Sequence, residues 1–99
     1  MPELTTGQSI NKALELILDK DSTAFIAGED IGVYGGAFGV TEGLLDKFGQ
    51  DRIKDTPIAE DVIAGLAVGA SMTGSRPIVE MQFSDFIVNA MDPIVIQAA

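Results

Sequence analysis

Cysteine and histidine are both absent from the 99-residue sequence, and their absence removes several common kinds of active site. Without cysteine there is no disulfide framework, no thiol nucleophile and no thiolate metal site. Without histidine there is no Ser-His-Asp triad, no imidazole proton shuttle and no histidine-bound zinc. Any chemistry at this chain must therefore use carboxylates, lysine, tyrosine, hydroxyl groups or a bound cofactor.

Basic residues are scarce, since six lysines and arginines face fifteen acids and the net charge is −9. That charge repels phosphate backbones and anionic lipids, so we expect neither a nucleic-acid partner nor a membrane partner. No run reaches the roughly 18 apolar residues of a membrane span. The start, "MPELTTGQS", does not follow the pattern of a signal peptide, so we expect a cytosolic protein.

Helical spacing of apolar residues predicts four helices. The first is "TTGQSINKALELILDKD", with a threonine pair as its cap signal, and the second is "VTEGLLDKFG", capped by Thr41 and ended by Gly49. A third begins at about Glu60, and the last is "SDFIVNAMDPIVIQAA". The apolar helical pattern continues to the last residue, so we expect residues 1–99 to be the N-terminal part of a longer domain.

Short β-prone runs alternate with these helices, in "TAFIAG", "DRIKDTP" and "RPIVEMQF". This alternation predicts an α/β fold with a partial parallel sheet and flanking helices. In such sheets ligands bind beyond the carboxyl ends of the strands. Acid-bearing segments fall at three of these ends: Glu29 with Asp30, Glu60 with Asp61, and residues 82–85.

Glu60 directly precedes a run of small and apolar residues, "DVIAGLAVGASM", which predicts a helix buried on all sides. Charged residues are seldom placed in such surroundings. Glu60 either complements the helix dipole, which Asp61 can also do, or binds a ligand or acts in catalysis. Within the run, Gly65 and Gly69 lie four residues apart, a spacing that allows close backbone approach. The backbone that comes close to these glycines belongs either to the core of this chain or to another subunit.

The glycine-rich segment "GEDIGVYGGAFGVTEG" follows the first predicted strand. It lacks the Lys-Ser/Thr ending of a P-loop and the spacing of a dinucleotide fingerprint, which favours a connecting loop. Glu29 and Asp30 at its start form either a solvated acidic turn or a site for a magnesium ion.

Three stretches, "GEDIGVYGGAFGVTEGLLDKFG", "RIKDTPIAE" and "RPIVEMQFSDFI", resemble a known family. They are similar to the beta subunit of the thiamin-diphosphate-dependent 2-oxo acid dehydrogenases, whose members act on pyruvate, branched-chain 2-oxo acids or acetoin. The resemblance implies a transketolase-like pyrimidine-binding fold. It also implies a component that decarboxylates a 2-oxo acid on thiamin diphosphate and passes the acyl group to lipoyl.

The resemblance assigns roles to individual residues. Glu60 matches the glutamate that hydrogen-bonds a nitrogen of the cofactor's aminopyrimidine ring, which makes it the catalytic residue. Ile58 matches a residue lining the same pocket, Gln82 and Phe86 match residues beside the ring, and Glu29 matches an acid near the pocket. A proton on Glu60 is needed for this role, and burial beside apolar residues is expected to raise its pKa.

The resemblance also implies partners. In the family the alpha subunit holds the diphosphate and a magnesium ion with a Gly-Asp-Gly…Asn motif, and no Gly-Asp-Gly occurs here, so we expect no metal site on this chain. An α2β2 assembly and a lipoyl-bearing acyltransferase are implied as well. One departure is Pro93, where the family usually has glutamine, because proline inside a helix can kink it.

Two other classes of protein compete with this interpretation. A receiver-like signalling module would bind magnesium through Glu29 and Asp30, but it needs an aspartate and a lysine at strand ends that are not convincingly placed. A pure assembly subunit would account for the small-residue helix and would leave Glu60 without a role.

Overall fold

The computed structural model describes residues 3–99, so the first two residues of the predicted domain lie outside the described residues. Helices and strands alternate, as the sequence predicts. The elements are α1 (Thr6–Lys20), β1 (Ala24–Gly28), α2 (Leu44–Phe48), β2 (Ile53–Asp55), α3 (Glu60–Met72), β3 (Arg76–Glu80), a 3₁₀ helix (Ser84–Ala90) and a π-helix (Asp92–Gln97). Within residues 3–99, no helix combines the length and the apolar character needed to cross a membrane.

The three strands form one parallel sheet in the order β2-β1-β3, which confirms the predicted α/β fold. Ile26 of β1 lies opposite Ile53 of β2 on one side and Ile78 of β3 on the other. The connection from β1 to β2 and the connection from β2 to β3 run in opposite directions across the sheet. Because such crossovers are right-handed, α2 and α3 are expected on opposite faces.

The main core lies between the sheet and the first two helices. Leu14 and Leu18 of α1 pack with Ile26, Ile53 and Leu44, and all five are buried. Ile26 belongs to this core, whereas Ala27 points to the opposite face because side chains alternate along a strand, and Ala27 is also fully buried. The central strand is thus covered on both faces, as is typical of a parallel sheet.

A capping box starts α1. The Thr5 side chain accepts a hydrogen bond from the Gln8 backbone N–H, and the Gln8 side chain accepts one from the Thr5 N–H, at 3.2 and 2.9 Å. Two orphan N–H groups of the first turn are satisfied in this way, so the predicted start of the helix is confirmed.

The predicted cap of the second helix is wrong. The helix begins after Gly43, which takes a left-handed conformation with φ of 81°, and Thr41 is not its cap. The buried hydroxyl of Thr41 instead donates to the carbonyl oxygen of Ile31 at 2.7 Å. Thr41 therefore bonds a residue distant in sequence and does not cap the helix as the local pattern predicted. The predicted end of the helix at Gly49 is confirmed.

The prediction that α3 is buried on all sides is wrong for the described chain. Ile63 and Ala64 are buried against β3 and the C-terminal segments, whereas Val62 and Met72 are well exposed. A Cβ added at either helix glycine, 65 or 69, would meet nothing within 4 Å. Core packing within residues 3–99 therefore does not explain the two glycines, and the subunit-contact interpretation stays a prediction.

The C-terminal stretch is helical but does not form the predicted α-helix. A 3₁₀ helix ends at Ala90, and a π-helix starts at Asp92. Pro93 lies in the first turn of the second segment, where its missing N–H removes no helical hydrogen bond. The proline therefore starts a new segment and does not kink a continuous helix.

Candidate functional site

The carboxyl ends of the three strands lie level with one another. Gly28, the last residue of β1, pairs with Asp55 on one side and with Glu80 on the other, and each of these is the last residue of its own strand. Glu29 follows β1 directly, and Glu60 starts the helix that follows β2. The predicted acid-bearing segments therefore gather at one edge of the sheet, where such folds bind ligands.

Asp61 and Glu60 have different surroundings, and this separates the two uses that the sequence left open for an acid at the start of α3. The exposed Asp61 accepts a hydrogen bond from the Val62 backbone N–H at 2.9 Å and so serves the helix start. Glu60 is turned inward and is only 7% exposed. Since Asp61 already complements the helix terminus, the burial of Glu60 indicates a second use for its carboxyl group.

Glu29 supplies the nearest partner of Glu60. Its side chain is 3% exposed, and its carboxyl group lies within hydrogen-bonding range of that of Glu60. One buried oxygen of each, Oε1 of Glu29 and Oε2 of Glu60, has no other hydrogen-bond partner among residues 3–99. Ionised carboxylates only accept hydrogen bonds, so the two groups must share a proton to be paired.

The two carboxyl groups share this proton and titrate as a pair. Its hydrogen bond with Glu60, with burial as the next cause, raises the pKa of Glu29 to about 7. The hydrogen bond with Glu29 and a second one with Asn89 lower the pKa of Glu60. Burial acts to raise the pKa of Glu60, as the sequence predicts, but the two hydrogen bonds outweigh it because they stabilise the charged form.

The 3₁₀ helix contributes an amide and aromatic rings to the site. Asn89 Nδ2 donates to Glu60 Oε1 at 3.2 Å. Side chains three residues apart lie above one another on a 3₁₀ helix, so Phe86 shares this face with Asn89. The ring of Phe86 in turn contacts that of Phe83 edge-to-face, with centroids 5.5 Å apart. The carboxyl pair thus lies beside an element that presents aromatic surface.

The other predicted site residues are less closely gathered. Gln82 is half-buried, two residues beyond β3, at the same edge of the sheet. Ile58 is 82% exposed in the loop before α3, so the described chain does not bury it in a pocket. The structure therefore brings together Glu29, Glu60 and the face of Phe86, and leaves Ile58 at the surface.

The sequence did not reveal that the side chains of Asp55 and Asn11 hold the glycine-rich loop in place through hydrogen bonds. Asp55 Oδ1 accepts from the Gly32 N–H at 2.8 Å, and a Cβ at Gly32 would lie 2.5 Å from the other carboxylate oxygen. Asn11 of α1 donates to the carbonyl oxygens of Val40 and Glu42. The signal was the amide side chain of Asn11 within an amphipathic helix. The connecting loop is thus held at both ends, beside Glu29.

A buried carboxyl with a raised pKa makes stability depend on pH. Folded Glu29 keeps its proton up to a pH of about 7, whereas unfolded Glu29 loses it near 4.5. The folded state binds more protons in between, so the free energy of unfolding should fall as the pH rises through this window. Urea unfolding at several pH values should show that Glu29→Gln flattens this fall. The control Asp46→Asn, at an exposed position on α2, should keep it. An unchanged slope in Glu29→Gln would contradict the raised pKa.

The arrangement suits a planar heteroaromatic ligand. A carboxyl pair that holds one proton can donate a hydrogen bond to a ring nitrogen and take the proton back. The neighbouring aromatic face offers an apolar surface for a ring. Oε2 of Glu60 is buried and has no partner among residues 3–99 other than Glu29, so a ligand can take the place of Glu29 as its hydrogen-bond partner.

Comparisons with known proteins point to the same kind of ligand. Residues 2–99 match the family model described as the transketolase pyrimidine-binding domain. The chain is 50% identical over 91 residues, 92% of its length, to the 2-oxoisovalerate dehydrogenase subunit beta of Bacillus subtilis, and covers 28% of that protein. It is 48% identical over all 99 residues to the pyruvate dehydrogenase E1 component subunit beta of Staphylococcus epidermidis, and covers 30% of it. The same figures hold for the subunit of that name in Staphylococcus aureus. The resemblance read from the sequence is confirmed, and the chain spans less than a third of these relatives.

Proposed function

Because the chain belongs to the transketolase pyrimidine-binding domain family, we propose that it binds the aminopyrimidine half of thiamin diphosphate in a 2-oxo acid dehydrogenase. The observation that carries the proposal is the buried Glu29–Glu60 pair beyond the carboxyl ends of the strands. In the complete enzyme this component decarboxylates a 2-oxo acid and passes the acyl group to lipoyl. The similarity to beta subunits of such enzymes supports this assignment.

Each residue of the site has a part in the proposal. Glu60 exchanges a proton with a ring nitrogen through its carboxyl group, and Glu29 holds the shared proton when Glu60 is ionised. Phe86 and Gln82 lie beside the ring, and Ile58 covers it once further protein surface encloses the loop. The bound cofactor supplies the electron sink for decarboxylation, so the chain needs neither histidine nor cysteine for this step.

The rest of the cofactor is assigned to a partner. An alpha subunit holds the diphosphate and the magnesium ion, since the sequence has no Gly-Asp-Gly motif and its net charge of −9 repels a diphosphate. The assembly is α2β2, and it delivers the acyl group to a lipoyl-bearing acyltransferase. A cytosolic location stays a prediction, as does the assignment of residues 1–99 to the N-terminal part of the domain.

The competing interpretations have less support. A magnesium site in a receiver-like module would need Glu29 and Asp30 to converge, but Glu29 is buried against Glu60 while Asp30 is exposed. A pure assembly subunit leaves the buried carboxyl pair unexplained. The relatives named after 2-oxoisovalerate and after pyruvate are nearly equally similar, so either substrate fits the proposal.

Reconstitution tests the shared site. Calorimetry with thiamin diphosphate should detect little or no binding to the 99-residue chain alone. A full-length beta subunit that carries this sequence, mixed with its alpha subunit, should bind the cofactor tightly in the presence of magnesium and release carbon dioxide from a 2-oxo acid. A beta subunit without the alpha subunit is the matched control. Micromolar or tighter binding to the chain alone would contradict a shared site, and a reconstituted assembly that releases no carbon dioxide from pyruvate or branched-chain 2-oxo acids would contradict the function.

A further inference from the structure

Asn89 contacts the candidate catalytic residue from a distant part of the chain. Its Nδ2 donates to Glu60 Oε1 at 3.2 Å across 29 residues of sequence. Asn89 lies in the 3₁₀ helix, whereas Glu60 starts α3, so this bond fixes one element to the other at the site. Glu60 Oε2 is buried and accepts no hydrogen bond from an amide group among residues 3–99. The two oxygens of one carboxyl group therefore differ in their surroundings.

We propose that Asn89 is a positioning residue for Glu60. Its amide donates a hydrogen bond to Oε1 and thereby leaves Oε2 as the oxygen that exchanges the proton. The proposal rests on the proposed function for the use of that proton. The contact itself is a property of the chain without a cofactor. An amide does not titrate near neutral pH, so Asn89 remains a donor in either protonation state of Glu60.

The charges around Glu60 make this donor important. The ionisable groups on the elements packed against it include five acids: Glu29 after β1, Glu80 at the end of β3, Asp61 on α3, Asp85 on the 3₁₀ helix and Asp92 at the start of the π-helix. The one base on these elements, Arg76, lies at the other end of β3 and pairs with Asp21. None of the five acids favours a negative charge on Glu60 through its own charge. The hydrogen bond from Asn89 does favour it, and it is the second cause of the lowered pKa of Glu60 after the bond with Glu29. Without Asn89, Glu60 should retain its proton more strongly.

Two substitutions separate positioning from a purely structural contact. Asn89→Leu removes the donor with little change in volume, and Asn89→Asp places an acceptor and a charge in its position. Gln97→Leu is the matched control, because Gln97 is an exposed amide that donates to a carboxylate, Oδ1 of Asp92, at 2.8 Å and does not contact Glu60. All three variants are made in the full-length subunit.

The first readout needs no cofactor. A carbon-13 NMR titration of the labelled glutamate carboxyls, with Glu60 assigned from the Glu60→Gln spectrum, reports the protonation of Glu60. Loss of a hydrogen bond to a charged group should raise its midpoint by about one pH unit in Asn89→Leu, a tenfold change in proton affinity, and by more in Asn89→Asp. Gln97→Leu should titrate as the parent does. An unchanged midpoint in Asn89→Leu, with or without a lower melting temperature, would overturn the proposal.

The second readout uses the cofactor-loaded assembly. The pH profile of the cofactor's thiazolium proton exchange should shift upward by the same amount in Asn89→Leu, with the Gln97→Leu profile unchanged. A shifted titration with an unshifted exchange profile would overturn the positioning role. A shifted titration together with parent-like exchange in Glu60→Gln would instead overturn the proposed function and leave the Asn89–Glu60 contact in place.

Discussion

Replacing Glu60 with glutamine should slow exchange of the cofactor's thiazolium proton by about a hundred- to ten-thousand-fold, the usual contribution of a positioned acid–base group. Glutamine keeps the size of the side chain, and its oxygen can still accept from Asn89. Its amide group can donate to Glu29, so the buried contacts survive. The variant cannot exchange a proton with a ring nitrogen. The measurement is deuterium exchange of the thiazolium proton in the reconstituted assembly.

The neighbouring acid provides the control for this experiment. Asp61→Asn removes a charge from the same helix turn, but Asp61 is exposed and contacts the Val62 backbone N–H. It should cost at most about 1 kcal/mol of stability and leave the exchange rate close to that of the parent. Parent-like exchange in Glu60→Gln would mean that Glu60 is merely a buried helix-terminal charge, and the proposed chemistry would then be wrong.

Replacing Arg52 with methionine should cost about 3 kcal/mol of unfolding free energy, which is about a hundredfold in the folding equilibrium. The guanidinium of Arg52 donates to the carbonyl oxygens of Leu18, Asp21 and Ala24 at 2.7–2.9 Å. These bonds tie the end of α1 and the start of β1 to the strand that follows Arg52. Methionine keeps much of the apolar side-chain packing but leaves the three carbonyl oxygens without this donor. Urea unfolding of the full-length subunit measures the loss.

A second arginine is the matched control for the stability experiment. Arg76 pairs with Asp21 at 3.3 Å, but its side chain is 79% exposed. Exposed ion pairs contribute little because water and salt screen them, so Arg76→Met should change the unfolding free energy by no more than about 1 kcal/mol. Equal losses in the two variants would show that burial of the Arg52 hydrogen bonds is not what stabilises the fold.

The sequence by itself determined the elements whose signals are local. The capping box at Thr5 and Gln8, the stop at Gly49 and the helix start at Glu60 all follow from residues within a few positions of one another. The alternation of strands and helices also fixed the parallel sheet, and with it the edge at which the acids gather. The motifs of the resemblance pointed to Glu60 in the same way, since they are contiguous in the chain.

Tertiary structure decided whatever depends on partners distant in sequence. Thr41 bonds the carbonyl oxygen of Ile31 and does not cap α2, and Asn89 reaches Glu60 across 29 residues. Glu29 and Glu60 share one proton because two carboxyl groups in contact do not both stay ionised, and Asn89 favours the charged form of Glu60. Local periodicity and capping rules carry no information on these contacts, whose energies arise once the fold has brought the groups together and removed water from them.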